Sequence, residues 1–196
     1  MLHNLEVSQK RSTLLNPKYL KSKQDYLPVK DHKEFNSMVF TIDPQNSIDM
    51  EDGLSLEKLG NGLYEVGVHI SDVTSYSHLV NRREIALKGT STYLPHKTIH
   101  MMPPELIELL ALKSKRRRLA FSVIFKITED GTIIQSRFEK TIVTSCAQLS
   151  YEESQDILDG KVNRHRFMKE KNLTKNELNS MTEKLHILRK IALNRR

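Results

Sequence analysis

A chain of 196 residues with 38% hydrophobic content is long enough for one cored domain, or one domain with a tail. One cysteine, Cys146, excludes an intrachain disulfide and fits a reducing compartment, and the absence of any apolar run of about 18 residues or a secretion-type N-terminus points to an intracellular protein without a membrane span. The net charge of +7 is uneven: residues 161–196 hold 11 Lys/Arg against 3 Asp/Glu, a basic tail that suits a polyanion through salt-sensitive contacts, or a solvated helix face with no partner.

Residues 1–37 are polar. Leu14-Leu15 and Tyr19-Leu20 suit a short helix that Pro28 ends, so this stretch reads as a linker or lead-in to a domain over 38–196. Val39 to Ile42 then reads as a short buried strand, broken by Asp43-Pro44 because proline has no N–H for a ladder. Four carboxylates follow within ten residues: Asp43, Asp49, Glu51 and Asp52. Crowded on the loop after a strand, they repel one another and stay ionised only with a cation among them. Oxygen ligands without a nearby histidine or thiol suit magnesium, with manganese as the alternative. An acidic surface turn is the competing reading. A calcium loop of the EF-hand type is excluded: with Asp49 as its first position, Gly53 falls one place early and Gly60 stands where the closing glutamate belongs.

Leu54–Leu59 and Leu63–Ser71 flank Gly60-Asn61-Gly62, a hairpin signal. Val66, Val68 and Ile70 share one face of the second strand, which turns His69 to the other; a lone histidine there reads as a hydrogen-bonded structural residue. Residues 74–98 read as helix and loop, with Tyr93 alone suggesting core filling. Met101 to Leu112 suits a short helix after Pro103-Pro104. The basic run Lys113, Lys115, Arg116, Arg117 and Arg118 admits phosphate contact, a localisation signal or a solvated loop. Leu119–Thr128 and Thr132–Thr144 form a second hairpin around Asp130-Gly131. Ser150 with Glu153 and Thr174 with Glu177 are capping boxes, the first opening a helix that Gly160 closes. On the last helix Leu178, Met181, Leu185, Leu188 and Ala192 keep a helical period, so it must pack on something. The elements add up to an α/β (α+β) domain: a mixed, largely antiparallel sheet with hairpins and packed helices.

Asp43-Pro44, Asp49 and the pair Glu51-Asp52, followed by Val66–Val73, Gly89–Pro95, Met101-Met102-Pro103, Leu119–Ser122, Thr141–Val143 and Leu149–Glu152, resemble the RNase II/RNase R exoribonucleases, the RNB-domain proteins, and within them the eukaryotic exosome-type branch. The likeness spans roughly residues 37 to 160 and implies a partial RNB catalytic domain that hydrolyses single-stranded RNA from its 3′ end to nucleoside 5′-monophosphates with magnesium. By resemblance, Asp43 and Asp52 match direct metal ligands, Asp49 a supporting ligand and member of the catalytic group, and Tyr93 the aromatic that packs on RNA near the cut. The basic stretch Lys115, Arg116 and Arg118 stands as a candidate RNA contact.

This chain departs from the family in three places. Glu51 stands where the family places an aspartate close to indispensable for cleavage, and its extra methylene moves the charge by about 1 Å, a displacement that costs on the order of 10²-fold at a reacting centre. Residues 110–118 replace polar residues that shape the active-site floor with Leu110-Ala111-Leu112 and five cations. The sequence also stops at what looks like the middle of the catalytic domain, ahead of a second aromatic and a phosphate-clamping arginine. That leaves the last helix expected to lack its packing partners and suggests a second polypeptide or exosome-type assembly to complete the site. The alternatives to an active nuclease are a catalytically impaired RNA-binding relative and an incomplete fragment.

Overall fold

The computed structural model describes residues 31–195. The helix expected around Leu14–Leu20, and most of the lead-in, lie outside the described residues. The sheet is built from β1 (Lys33–Glu34), β2 (Val39–Asp43), β3 (Asp52–Gly60), β4 (Leu63–Ser71), β7 (Arg117–Thr128) and β8 (Ile133–Ser150). A separate two-stranded ribbon holds β5 (Thr92–Leu94) and β6 (Lys97–Ile99). The order β1-β8-β2-β3-β4-β7 closes on itself because β7 also pairs with β8. Pairings are antiparallel except those of β8 with β1 and β2, which are parallel. This is the mixed, largely antiparallel architecture expected from the hairpins, and closure leaves few free edges.

Both hairpins form where their turn residues demand it. Asn61 and Gly62 turn at positive φ of 52° and 70°, the region where glycine and asparagine cost least. β8 runs past the expected Thr144 to Ser150, because its first part pairs with β7 and its last part with β2. One long strand thus serves two neighbours and joins the ends of the sheet.

The interior of this closed sheet is narrow and partly polar. His69 is fully buried, with Nδ1 2.7 Å from Ser122 Oγ and Nε2 2.9 Å from Ser55 Oγ. Burial pushes its imidazole down to about 4, so it stays neutral and structural. Gly67 leaves room for it: a Cβ there would stand 2.4 Å from Ser55 Oγ and 2.6 Å from His69 Nε2.

A short 3₁₀ helix (Val73–Leu79), α1 (Arg82–Lys88) and α2 (Pro104–Leu110) follow β4. The stretch expected as helix and loop therefore also contains the β5–β6 ribbon. Tyr76, Leu79, Leu106, Leu109 and Leu110 pack there against Leu119 and Ile142 on the outside of the sheet.

On the other side lie α3 (Tyr151–Leu158), α4 (Arg164–Lys171) and α5 (Lys175–Asn194). Both capping boxes are made: Ser150 Oγ accepts from Glu153 N, and Thr174 Oγ1 from Glu177 N. Asn163 caps α4, which the sequence pattern does not announce because it buries only Phe167.

The last helix has its packing partners within the chain, contrary to expectation. Leu178, Met181 and Leu185 are buried with Phe40, Ala147, Leu149 and Ile157, each such side chain contributing roughly 1.5–3 kcal/mol. Ala192 is exposed, and Ile191 takes the expected contact, packing with Leu56 and Ile127. The apolar stripe shifts by one residue where the helix end packs on Leu56 of β3 and Ile127 of β7.

Candidate functional site

The acidic loop crosses one end of the closed sheet and is clamped there. Ser47 N donates to Pro44 O at 3.1 Å, and Asn46 turns at φ 66°. Met50 is buried beneath the loop, and its carbonyl accepts from Leu112 N at 2.8 Å. Glu51 O accepts from Ser71 N at 2.8 Å, which aligns Asp52 to open β3 opposite Ile70. The loop is therefore fixed by α2's exit on one side and by the end of β4 on the other.

This clamping brings the four carboxylates into one electrostatic group. Asp43 ends β2 and is buried; burial pushes its carboxyl up, and repulsion from Asp52 and Asp49 adds to the rise. The nearby Thr41 hydroxyl offsets part of that, but without a hydrogen bond of good geometry: Thr41 Oγ1 and Asp43 Oδ2 are both buried and unpartnered among the described residues. Glu51, on the exposed side of the loop, is raised by burial first and then by Asp49 and Asp52. Asp49 is held by Ser47 Oγ, which donates to its Oδ1 at 3.0 Å.

A buried carboxylate oxygen without a donor, surrounded by further negative charge, has the chemistry of a hard-cation ligand. No three His, Cys, Asp or Glu side chains among the described residues close around a point as a finished cage. Magnesium does not require one, since it typically takes one or two carboxylates and completes its shell with water and substrate phosphate. The donor set fits a magnesium or manganese ion on those terms.

A cavity of about 210 Å³ opens beside the loop, with Asp49 and Glu51 on one wall and Ser91, His100, Met101 and Leu110 among its other lining. Ser91 Oγ accepts from Met101 N at 3.0 Å, tying the base of the β5–β6 ribbon to this cavity. Tyr93 stands on that ribbon with 71% of its surface exposed, so it is not the core filling its apolar neighbours suggest.

The basic run divides. Lys115 Nζ donates to Glu177 at 2.8 Å, and that bond, followed by those from Thr174, brings Glu177 down to about 2. Lys113 pairs with Glu108 and Arg117 with Glu34. Arg116 is exposed. Arg118 corrects the expectation: only 4% exposed, its guanidinium donates to Ala111 O at 3.1 Å and to Arg117 O at 3.0 Å. It pins the exit of α2 to β7, because its place on the strand faces inward.

Two features escaped the sequence reading. Tyr151 is exposed at the first position of α3, directly after Ser150, which pairs with Asp43; an aromatic following a capping serine is the signal that would have found it. His32 Nε2 lies 3.0 Å from Asp72 Oδ2. Burial would raise Asp72, but donors from Ser75, Thr74 and His32 outweigh it and hold the carboxyl at about 2. Among the described residues no helix is long and apolar enough to cross a membrane.

The RNB domain model matches residues 32–196, the closed mixed sheet and the acidic loop at the end of its second strand included. The chain belongs to the RNB-domain family of exoribonucleases. It is 43% identical over 130 residues to DIS3-like exonuclease 2 of Schizosaccharomyces pombe, covering 64% of this chain and 14% of that protein. It is 42% identical over 125 residues to exosome complex exonuclease RRP44 homolog A of Arabidopsis thaliana, covering 62% and 13%. Inactive exonuclease DIS3L2 of the same plant is 40% identical over 126 residues, covering 63% and 12%. Among solved structures, Mycoplasma genitalium RNase R in complex with ribose-methylated single-stranded RNA superposes with a TM-score of 0.73 at 18% identity, a likeness of fold that covers 98% of this chain and 30% of that one. The chain thus spans about an eighth of the length of these curated relatives.

Proposed function

We propose that this chain carries the metal-binding part of a 3′-to-5′ exoribonuclease site that acts on single-stranded RNA and releases nucleoside 5′-monophosphates. The observation that carries it is the buried, unpartnered Oδ2 of Asp43 within an acidic group in which Asp49 and Asp52 repel both Asp43 and Glu51. Asp43 and Asp52 would hold magnesium, or manganese, directly, with Asp49 as a supporting ligand. When bound, the ion supplies a Lewis acid for a phosphate and an activated water. The protein's own contribution is to hold Asp43 rigid at the end of β2, to keep Asp49 oriented through Ser47, and to place Glu51 at the mouth of the cavity as a catalytic carboxylate. Tyr93 offers a ring for base stacking, worth about 1–3 kcal/mol per base. Lys115 and Arg116 offer phosphate contacts; Arg118 does not.

An intracellular RNA-decay role, cytoplasmic or nuclear, follows from this reading, with an exosome-type assembly as partner. A second reading has its own support: Glu51 carries one methylene more than the aspartate its motif matches, and one relative is named inactive. On that reading the chain binds RNA and turns it over poorly.

The test is to incubate the purified chain with 5′-labelled single-stranded RNA, with and without magnesium, beside a Glu51→Asp variant. Metal-dependent shortening from the 3′ end supports the nuclease. Retarded but intact RNA with both proteins supports the binder, and RNA that is neither bound nor shortened overturns both.

A further inference from the structure

The outer face of the sheet carries an apolar strip that no described helix covers. Strand pairing aligns Asp52, Ile70, Phe121 and Lys140 in one row across β3, β4, β7 and β8. The adjacent row aligns Val68, Val123 and Phe138. Ile70 is 43% exposed, Phe121 42% and Phe138 65%. The two phenylalanine rings stack with centroids 6.2 Å apart and 29° between their planes. Single exposed apolar side chains are ordinary on a protein surface, but a contiguous group of this kind marks an interaction site.

The position of the strip decides which partner fits. It begins at Asp52, one of the candidate metal ligands, and ends at Lys140, whose half-exposed ammonium lies 3.8 Å from Asp72. Neighbouring strands lie about 4.8 Å apart, so Phe121, two strands from Asp52, is about 10 Å from it along the row. A strand of RNA with its 3′ end at the carboxylates therefore meets these rings within its next few nucleotides. Base faces stack on aromatic side chains regardless of sequence, and sheet-borne aromatics serve this purpose in other RNA-binding folds. The strip is continuous with Asp52 at one end, so an RNA that reaches the carboxylates lies across flat apolar rings suited to its bases.

We infer that Ile70, Phe121 and Phe138 form a base-stacking platform for single-stranded RNA leading to the carboxylate site. This rests on the reading that RNA is the substrate, and it adds a binding surface separate from the acidic loop and from Tyr93. Stacking needs no metal, so the platform works when the carboxylate site is empty.

The experiment measures fluorescence anisotropy of a 5′-fluorescein-labelled twelve-nucleotide oligouridylate with the full chain in EDTA. Wild type is compared with Phe121→Ala, Phe138→Ala and Phe138→Trp, each checked for fold by circular dichroism. The alanine variants are expected to raise the Kd by about 5-fold or more each, and Phe138→Trp to keep it. A wild type that binds RNA with a Kd unmoved by either alanine overturns the platform while leaving the nuclease reading intact. Unmoved RNA affinity with a shift from dimer to monomer on sedimentation overturns it in favour of a protein-docking strip. The nuclease reading fails separately, by the absence of magnesium-dependent shortening.

Discussion

Ser150 pairs with Asp43 in the parallel ladder of β8 and β2, and the same serine caps α3. The end of the strand that carries the buried carboxylate is thus joined to the start of a helix that packs in the main core through Ile157. Ser150→Ala removes the acceptor for Glu153 N, a loss of about 1 kcal/mol. For a chain of this size that lowers Tm by about 2–4 °C. Differential scanning fluorimetry checks it, and magnesium should still raise the Tm of the variant because no carboxylate is lost.

The pH dependence follows from Asp43 and Glu51, both raised above their ordinary values of 3.8 and 4.5. A carboxyl raised by folding favours the native state while protonated, and that contribution is lost as pH rises through its folded value. Metal-free protein should therefore lose thermal stability as pH climbs out of the carboxylate range toward neutrality. Magnesium favours the ionised forms, so its stabilising effect should grow over the same interval. Melting curves with EDTA and with magnesium across that range measure both trends; a magnesium effect that is flat with pH contradicts the assignment.

Gly67 faces the interior of the closed sheet, where a methyl group meets Ser55 and His69. Gly67→Ala is expected to cost about 1–3 kcal/mol through overpacking, because both neighbours are fixed by hydrogen bonds. Urea unfolding should show a lower midpoint with an unchanged slope.

Glu51→Asp shortens the one carboxylate whose length departs from the motif. If turnover is limited by its displacement, the variant gains activity by up to about 10²-fold with little change in RNA affinity. Single-turnover RNA shortening and equilibrium binding, measured on the same preparation, separate the two effects.

The local parts of this fold were legible because each is set by a few adjacent residues. Asn61, Gly62 and Gly131 supply positive φ where the hairpins turn, and the two capping boxes fix the starts of α3 and α5. The closure of the sheet was not legible. It depends on β8 changing partners near Ser145, a long-range choice that no local pattern announces. Arg118 was misread for a related reason: within a run of five cations between 113 and 118 it looks available to RNA, but strand alternation turns it inward onto backbone carbonyls. Of the site, the acidic cluster was visible as composition alone, whereas the burial of Asp43 and the exposed strip at Phe121 and Phe138 came only with the tertiary pairing.

Isothermal titration of magnesium into the folded, metal-free chain at neutral pH, beside Asp43→Asn, addresses the heart of the matter. Saturable uptake by the wild type that is lost or strongly weakened in Asp43→Asn is the expected result. No uptake by a well-folded wild type, or equal uptake by both proteins, would mean that the acidic loop is not a metal site.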